Sequence, residues 1–260
     1  MNEEVARALL ELAGSETWPA VVAFFRAAPL VGLAPGFGEQ SVPMRLKAAL
    51  AIGLAILLAR LRPEVPSYAS LHPLQVLTLL GAETVNGLLL GFALRLYVLI
   101  LQTAGSIAAQ ATSLSQLFGG AATEPIPAMG HVLVIGGVAV AMAAGLHVAV
   151  VEYLYRSYDV LGIGTFPNSV EASNWSVAQV TAAFSLAFRL ALPFLLASLL
   201  YNLTLGVINR AMPQLMVALV GAPVITAGGM LGFAVLAPHI LTAWHDALRA
   251  AIIWPMSSAP

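Results

Sequence analysis

Glu83 and Arg95 are the side chains whose type and surroundings could support chemistry, because both interrupt one long apolar stretch. An ionisable group at membrane depth is by default a functional candidate, and a proton relay is the chemistry that such a carboxyl would perform. The alternative is a structural acid that is satisfied by Arg95 or by a backbone group. We favour the structural role for Glu83, since no second acid lies nearby to continue a proton path.

The remaining residues provide no catalytic or metal-binding set. The sequence contains no Ser/His/Asp arrangement, nucleotide-binding loop, HExxH motif or paired carboxylates, so we predict that the chain is not an enzyme. The five histidines lie singly or far apart, and His131 and His147 lie near an apolar stretch where each can bond a carbonyl group. Cysteine is absent, which excludes disulfides and thiolate ligands. We expect neither a metal nor a cofactor.

Composition places the chain in a membrane. Of its 260 residues, 60% are hydrophobic and only 9% are charged, whereas soluble domains carry about 25% charged residues. A net charge of -1 without a basic cluster argues against nucleic-acid binding. The length allows about six to eight membrane-length helices of roughly 20 residues each. We predict an all-α membrane protein of helical hairpins, forming one domain over residues 1–260, with several helices bent or too short to span alone.

One short apolar segment, 48–59, carries positive charge at both ends. Arg45 and Lys47 precede it, and Arg60 and Arg62 follow it. Twelve helical residues rise about 18 Å, well short of a hydrocarbon core of roughly 30 Å. We therefore predict that this segment forms half of a hairpin that packs on protein and does not cross the lipid unaided.

Other apolar stretches predict the remaining helices. They lie at 18–33, 74–115, 129–155, 177–208 and 213–247, with loops expected at 35–43, 62–73, 119–127 and 159–174 and a disordered tail at 254–260. The stretch 74–115 is long enough for two helices or one bent helix. Prolines in the last two stretches predict bent helices or hairpins, with the bend at Asn209, Arg210 and Pro213.

Small residues recur at four-residue spacing between positions 81 and 109. The pairs are Gly81 with Val85, Gly87 with Gly91, and Ala104-Gly105 with Ala108-Ala109. Such spacings let membrane helices approach closely. They predict tight helix packing, within the chain or with partners, and indicate nothing about chemistry.

The end of the stretch 74–115 is a candidate gate. Bulky apolar side chains stand there beside a flexible glycine pair, and apolar constrictions can close a channel by excluding water. The residues are Leu114, Leu117, Phe118, Gly119 and Gly120. The alternative, a helix end with a packed Phe, is the stronger interpretation from these residues alone.

Polar residues inside the strongly apolar segment 202–215 carry the most information. In lipid, such groups are costly unless protein or water satisfies them, so Asn202, Asn209, Arg210 and Gln214 indicate a protein neighbour. Together with Pro213 and nearby residues, they resemble the C-terminal signature of the FliR family of flagellar biosynthetic proteins. The matching residues are Ala191-Leu192-Pro193, Asn202-Leu203, Leu205-Gly206, Asn209-Arg210, Pro213-Gln214, Gly221 and Pro223.

The resemblance spans about residues 20–238 and implies a core subunit of the flagellar type III export gate. It implies a P-like N-terminal part (about 15–165) and a Q-like C-terminal part (about 175–250), in a bacterial inner-membrane assembly at the flagellar basal body. The implied partners are the P and Q subunits, the B-type switch and A-type export subunits, and exported unfolded proteins. The plug is implied in the candidate gate above, although Glu124-Pro125 stands where the family usually has Asp-Pro. The implied packing residues are Glu83, Gly91, Arg95, Asn202, Asn209, Arg210, Pro213 and Gln214.

Two alternatives stay open. One is the related R subunit of virulence-type export systems. The other is a small-molecule or ion secondary transporter, since such proteins have Gly- and Pro-broken helices and buried ionisable groups like Glu83 and Arg95.

Overall fold

The structure, a computed structural model, describes residues 3–61, 65–112, 128–211 and 217–253. Within these ranges all regular structure is helical, which confirms the predicted all-α class. The elements are α1 (Glu3–Leu33), α2 (Met44–Leu61), a 3-10 turn (Tyr68–Ser70), α3 (Pro73–Thr112), α4 (Ala128–Ala143), α5 (Leu146–Val160), α6 (Ser169–Ala211) and α7 (Val217–Ile253).

Helices α1 and α2 form the predicted hairpin. The loop between them covers residues 34–43, close to the expected 35–43, and the two helices pack against each other. Helix α2 buries Ala51, Ala55 and Leu58, while its other residues are partly or fully exposed. It has 18 residues, longer than the predicted apolar segment, because its basic ends are also helical. Even so, α2 is not among the helices apolar enough to cross a membrane.

Three of the described helices are long and apolar enough to span a bilayer: Pro73–Ala111, Ser169–Ala211 and Val224–Ile253. The long stretch that begins near residue 74 forms one helix, α3, rather than two. Helix α6 has 43 residues and continues through Pro193. At about 1.5 Å per residue it exceeds the hydrocarbon thickness twofold. Long helices thus coexist with short ones, as predicted.

The apolar segment expected at 129–155 is broken. Helix α4 ends at Ala143 and α5 begins at Leu146, and the pair counts as a fourth span only if it is taken as one. Gly145 lies at the break with φ of 91°, a left-handed conformation that glycine adopts without steric cost. Glycine therefore ends one helix and allows the next to begin.

The loop expected at 159–174 is shorter than predicted. Helix α5 runs to Val160 and α6 already begins at Ser169. The reason for the early start is Asn168, whose side-chain oxygen accepts hydrogen bonds from the backbone N–H groups of Val170 (3.0 Å) and Glu171 (3.4 Å). These are the interactions of an N-cap, and they satisfy two donors that the first helical turn leaves unpaired.

By its internal contacts the chain forms two compact units, each assembled from separated segments. Unit 1 comprises Met1–Arg95, Gly145–Gln179 and Ala250–Pro260, and unit 2 comprises Leu96–Ala144 and Val180–Arg249. The division into a P-like part at about 15–165 and a Q-like part at about 175–250 stays a prediction.

Candidate functional site

The core of unit 1 contains a buried ion pair between α1 and α3. Arg26 and Glu83 are both completely buried. Arg26 Nε donates to Glu83 Oε2 at 2.7 Å, and Arg26 Nη2 donates to Oε1 at 2.9 Å. This two-point geometry is the strongest that a guanidinium and a carboxylate form. Burying such a pair is tolerated only when the other hydrogen-bond donors and acceptors of the two side chains are also satisfied.

The remaining donors of Arg26 bind the end of α5 and the loop that follows. Nη1 donates to the carbonyl of Leu161 at 3.0 Å and to the hydroxyl of Ser157 at 3.3 Å, and Nη2 donates to the carbonyl of Gly162 at 3.3 Å. The guanidinium carbon also lies 3.8 Å from the ring centroid of Tyr158, in cation–π distance. One side chain of α1 thus fixes a segment more than 130 positions later.

Glu83 also accepts a hydrogen bond from the loop between α5 and α6. The N–H of Gly164 donates to Glu83 Oε1 at 2.8 Å, and Gly164 has φ of 69°, which favours glycine. One helical turn later, Asn86 Nδ2 donates to the carbonyl of Thr165 at 3.1 Å. Both carboxylate oxygens therefore have donors, and the arrangement suits a structural pair rather than a group that must exchange protons.

Glycines on the same face of α3 let the ion pair form. A Cβ on Gly87, one turn beyond Glu83, would overlap the carbonyl of Arg26. A Cβ on Gly91 would lie 3.0 Å from the side chain of Leu33 and 3.1 Å from Cα of Leu30. Small residues there bring the backbones of α1 and α3 close enough for a buried Arg to reach a buried Glu. The close packing predicted from Gly87 and Gly91 is confirmed.

Glycine also allows two helices to pack closely in unit 2. A Cβ on Gly105 of α3 would overlap the backbone of Gly130 in α4, and Ala104 and Ala108 beside it are buried. Trp244 of α7 is also fully buried and donates from Nε1 to the carbonyl of Tyr97 at 2.7 Å. The small-residue spacing at 104–109 therefore serves packing within the chain.

Of the two partners considered for Glu83, the backbone group is confirmed by the N–H of Gly164, whereas Arg95 is wrong. Glu83 and Arg95 are twelve positions apart on one helix, about 18 Å, which is beyond side-chain reach. Arg95 instead pairs with Glu39 in the loop between α1 and α2, at 3.1 Å, and both side chains are partly exposed. The sequence did hold a signal for the true partner, because Arg26 is a second charge in an apolar segment and a buried cation requires a buried anion.

The polar residues of the C-terminal signature have a different environment. Asn202, Asn209 and Arg210 are exposed on α6, and Asn202 Nδ2 bonds only the nearby Ser198 hydroxyl, at 3.3 Å, among the hydrogen bonds described for its side chain. Pro213 and Gln214 lie outside the described residues. So do the candidate gate residues Leu114, Leu117, Phe118, Gly119 and Gly120.

Large apolar side chains surround these polar groups on α6 and continue on α7. Leu199, Leu203 and Val207 are each about two-thirds exposed, as are Leu231 and Val235. Only 22% of the apolar part of α6 and 17% of that of α7 is buried, against 56% for α3. Faces of this size require a covering of lipid or of other protein chains.

Comparison with known proteins gives these features a context. Residues 18–251 match the family model described as bacterial export proteins, family 1. The chain is similar to the flagellar biosynthetic protein FliR of Caulobacter vibrioides, with 29% identity over 90% of this chain and 94% of the relative. It is also similar to the proteins of that name in Escherichia coli (29% identity, 86% of this chain, 84% of the relative) and Bacillus subtilis (24%, 78% and 80%).

Proposed function

Because the chain belongs to the bacterial export proteins, family 1, we propose that it is a core subunit of the flagellar type III protein export gate, the channel that exports unfolded flagellar proteins. The observation that carries this proposal is the family match over residues 18–251, together with relatives named flagellar biosynthetic protein FliR. The resemblance inferred from the C-terminal signature is confirmed by the same match. The proposed role is a passive conduit and gate, without catalysis.

The proposed partners are the P and Q subunits of the gate, with the B-type switch and A-type export subunits and the exported chains themselves. Support comes from α6 and α7, whose exposed faces combine apolar side chains with Asn202, Asn209 and Arg210. Uncovered amide and guanidinium groups are expensive in hydrocarbon, and membrane helices use such groups to bond one another. A subunit of a hetero-oligomer needs surfaces of this kind, whereas a monomeric transporter does not.

The proposed location is the bacterial inner membrane, as a multi-pass protein of the flagellar basal body. The three candidate spans support membrane residence. The α1–α2 hairpin supports an assembly in which some helices face protein, because α2 carries basic residues at both ends and packs on α1. Within this role we assign the gate to Leu114, Leu117, Phe118, Gly119 and Gly120, and we keep a P-like part before about residue 165 and a Q-like part after about 175.

The two alternatives have less support. A secondary transporter would use a buried carboxylate that gains and loses protons, but Glu83 is neutralised by Arg26 and bonded by the Gly164 N–H. A virulence-type export gate would share the helical architecture, but the relatives described above bear a flagellar name.

Native mass spectrometry tests the proposal. The tagged chain is extracted from its own host in mild detergent, and the masses of the recovered particles are measured. We expect one copy of the chain with several copies of two other small hydrophobic proteins. Recovery of the chain alone or as a homo-oligomer would overturn the export-gate role.

A swimming assay distinguishes a flagellar export gate from a virulence-type one. Disruption of the chain in its host is expected to abolish swimming. Normal swimming combined with loss of effector secretion would assign the chain to a virulence system instead.

A further inference from the structure

Two exposed arginines on α6, Arg189 and Arg210, mark the ends of a segment that contains no charged residue. At about 1.5 Å per residue they are separated by about 31 Å along the helix, which matches a hydrocarbon core of roughly 30 Å. Among the residues that the structure describes, neither guanidinium has a hydrogen-bond or ion-pair partner. Two unpaired cations thus stand one bilayer thickness apart.

Both arginines lie on the same face of α6. Residues three and four positions apart are neighbours on a helix surface, and such steps lead from Arg189 to Arg210 through apolar side chains only. We call these side chains the leucine stripe: Leu192, Leu196, Leu199, Leu203 and Val207, all about half to two-thirds exposed. The opposite face of the same segment is buried at Leu190, Ala191 and Phe194.

The position of Arg189 decides how deep α6 can lie in a bilayer. The helix runs from Ser169 to Ala211, so its midpoint falls at Leu190. Centring the helix would therefore place the unpaired Arg189 at the middle of the hydrocarbon, the most costly depth for a charge. A shift of about ten residues instead puts Arg189 and Arg210 at the two headgroup levels, where long basic side chains keep their charge in contact with water and phosphate.

Helix α7 changes its composition at the same level. The ring of Phe233 contacts that of Phe194, with centroids 6.4 Å apart, and the two residues are almost equally far along the chain from the connection at 212–216. The helices therefore run antiparallel beside each other, and this register puts Arg189 level with His239. Residues 217–238 contain no charged side chain, and His239 is the first ionisable residue after them. Both helices thus have an uncharged half next to their connection.

We propose that this uncharged half of α6 and α7 is the part of the hairpin that lipid surrounds along the leucine stripe, with Arg189 and Arg210 bound to phospholipid phosphates of opposite leaflets. A protein covering would give no reason for the two cations to stand one hydrocarbon thickness apart. Asn202 lies on a different face, about 100° around the axis from the stripe, and is left to the subunit contacts proposed above. Arg210 lies at the edge of both surfaces.

The proposal rests on the membrane location proposed above, and site-directed spin labelling tests the two separately. The chain contains no cysteine, so a single cysteine carries the nitroxide without background labelling. Cysteines replace the residues of the leucine stripe one at a time in the full chain, which is purified with any subunits that copurify and reconstituted in vesicles of phosphatidylethanolamine and phosphatidylglycerol. Paramagnetic resonance then measures the collision rates with oxygen, which concentrates in hydrocarbon, and with a water-soluble nickel chelate.

The ratio of the oxygen rate to the nickel rate is expected to peak at Leu199→Cys, about nine residues after the helix midpoint. It is expected to fall towards Leu192→Cys and Val207→Cys. Ser185→Cys, on the same face but beyond Arg189, is expected to collide readily with the nickel chelate, since that part of α6 lies outside the hydrocarbon.

Three other results would overturn the proposal in different ways. A peak near Leu190, with Ser185→Cys shielded from nickel, would overturn the placement and leave membrane residence intact. Low collision rates with both reagents along the whole stripe would show a protein covering in place of lipid. High nickel rates at every position would contradict membrane residence of this hairpin as well.

A charge change at Arg189 tests the role of the guanidinium itself. Arg189→Leu leaves residues 172–209 without a charge, so the peak is expected to move by about one helical turn or more towards Leu192. Arg189→Lys keeps the charge and is expected to keep the peak at Leu199. The matched control is Arg249→Gln, which removes an exposed positive charge beyond His239 on α7 and is expected to leave the peak in place. An unmoved peak in Arg189→Leu, with unchanged helicity and elution volume, would overturn the assignment of Arg189 to the lipid boundary.

Discussion

Polar groups have opposite environments in the core of unit 1 and on the exposed faces of α6 and α7. In unit 1, Arg26 and Glu83 are fully buried, and the chain itself supplies their partners from α5 and the following loop. On α6, Asn202 and Arg210 are exposed among apolar side chains. The first region satisfies the charges of this pair within the chain. The second exposes polar groups among apolar side chains, which fits the subunit contacts that we propose for it.

Breaking the ion pair is expected to have the largest effect. Arg26→Met leaves Glu83 buried without a counter-ion and should lower the free energy of unfolding by about 3–5 kcal/mol. Denaturant or thermal unfolding of the purified protein in detergent measures this loss.

The matched control for that change is Arg26→Met combined with Glu83→Leu. An apolar pair removes the unpaired charge, so the double variant should recover part of the stability. The recovery is incomplete because the carbonyls of Leu161 and Gly162 and the N–H of Gly164 lose their partners. If the double variant were as unstable as Arg26→Met, the lost hydrogen bonds to the loop after α5, and not the unpaired charge, would be the source of the loss.

Adding a methyl group at the close contact between α1 and α3 is expected to have the second-largest effect on stability. Gly87→Ala forces a methyl group into the carbonyl of Arg26 and should lower the free energy of unfolding by about 1–3 kcal/mol. Gly53→Ala on α2 is the control, because its added Cβ meets no atom within 4 Å, and it should stabilise by roughly 0.5–1 kcal/mol. Thermal unfolding that ranks the two variants alike would refute the close approach.

The partly exposed pair of Arg95 and Glu39 should contribute less. Solvent screens both side chains, so Arg95→Gln is expected to cost about 1 kcal/mol or less. A double-mutant cycle with Glu39→Gln measures the coupling free energy. A coupling comparable to that of Arg26 and Glu83 would remove the distinction between buried and exposed pairs.

Changes on the assembly surface should have the smallest effect on folding. Asn202→Leu is expected to alter the free energy of unfolding of the isolated chain by no more than about 0.5 kcal/mol, since the residue is exposed. Copurification of the other gate subunits should fall about threefold, the equivalent of one hydrogen bond between membrane helices. Subunit yield per tagged chain measures this fall, with Thr204→Val on the same helix as the comparison. Undiminished copurification of the Asn202→Leu chain would argue against a subunit contact there.

Much of the architecture follows from local sequence. Basic residues at both ends of a short apolar segment predicted the α1–α2 hairpin, and the spacing of Gly87 and Gly91 predicted a close helix contact. The local sequence was less informative where the conformation or side chain of one residue decides where a helix begins or ends. The αL conformation at Gly145 divides a segment of uniform hydropathy, and the Asn168 cap starts α6 before its apolar run.

The buried ion pair shows a different limit of sequence reasoning. A charged residue in an apolar helix indicates that a partner exists, but its identity depends on which helices pack together. Arg95 is excluded as the partner of Glu83 only because residues 73–112 form one continuous helix, which the sequence left open. Arg26 became the partner only through the approach of α1 and α3 at Gly87, which is a tertiary contact.

The separation of the ion-pair residues along the chain has a consequence for synthesis. Arg26 leaves the ribosome 57 residues before Glu83 and 135 residues before the Leu161 carbonyl. At about 5–20 residues per second, the guanidinium waits roughly 3–11 s for its carboxylate. An unpaired arginine is costly in hydrocarbon, so we expect α1 to stay in contact with water or with the insertion machinery during that interval. The order of translation thus delays burial of the Arg26 guanidinium against its carboxylate until α3 has been synthesised.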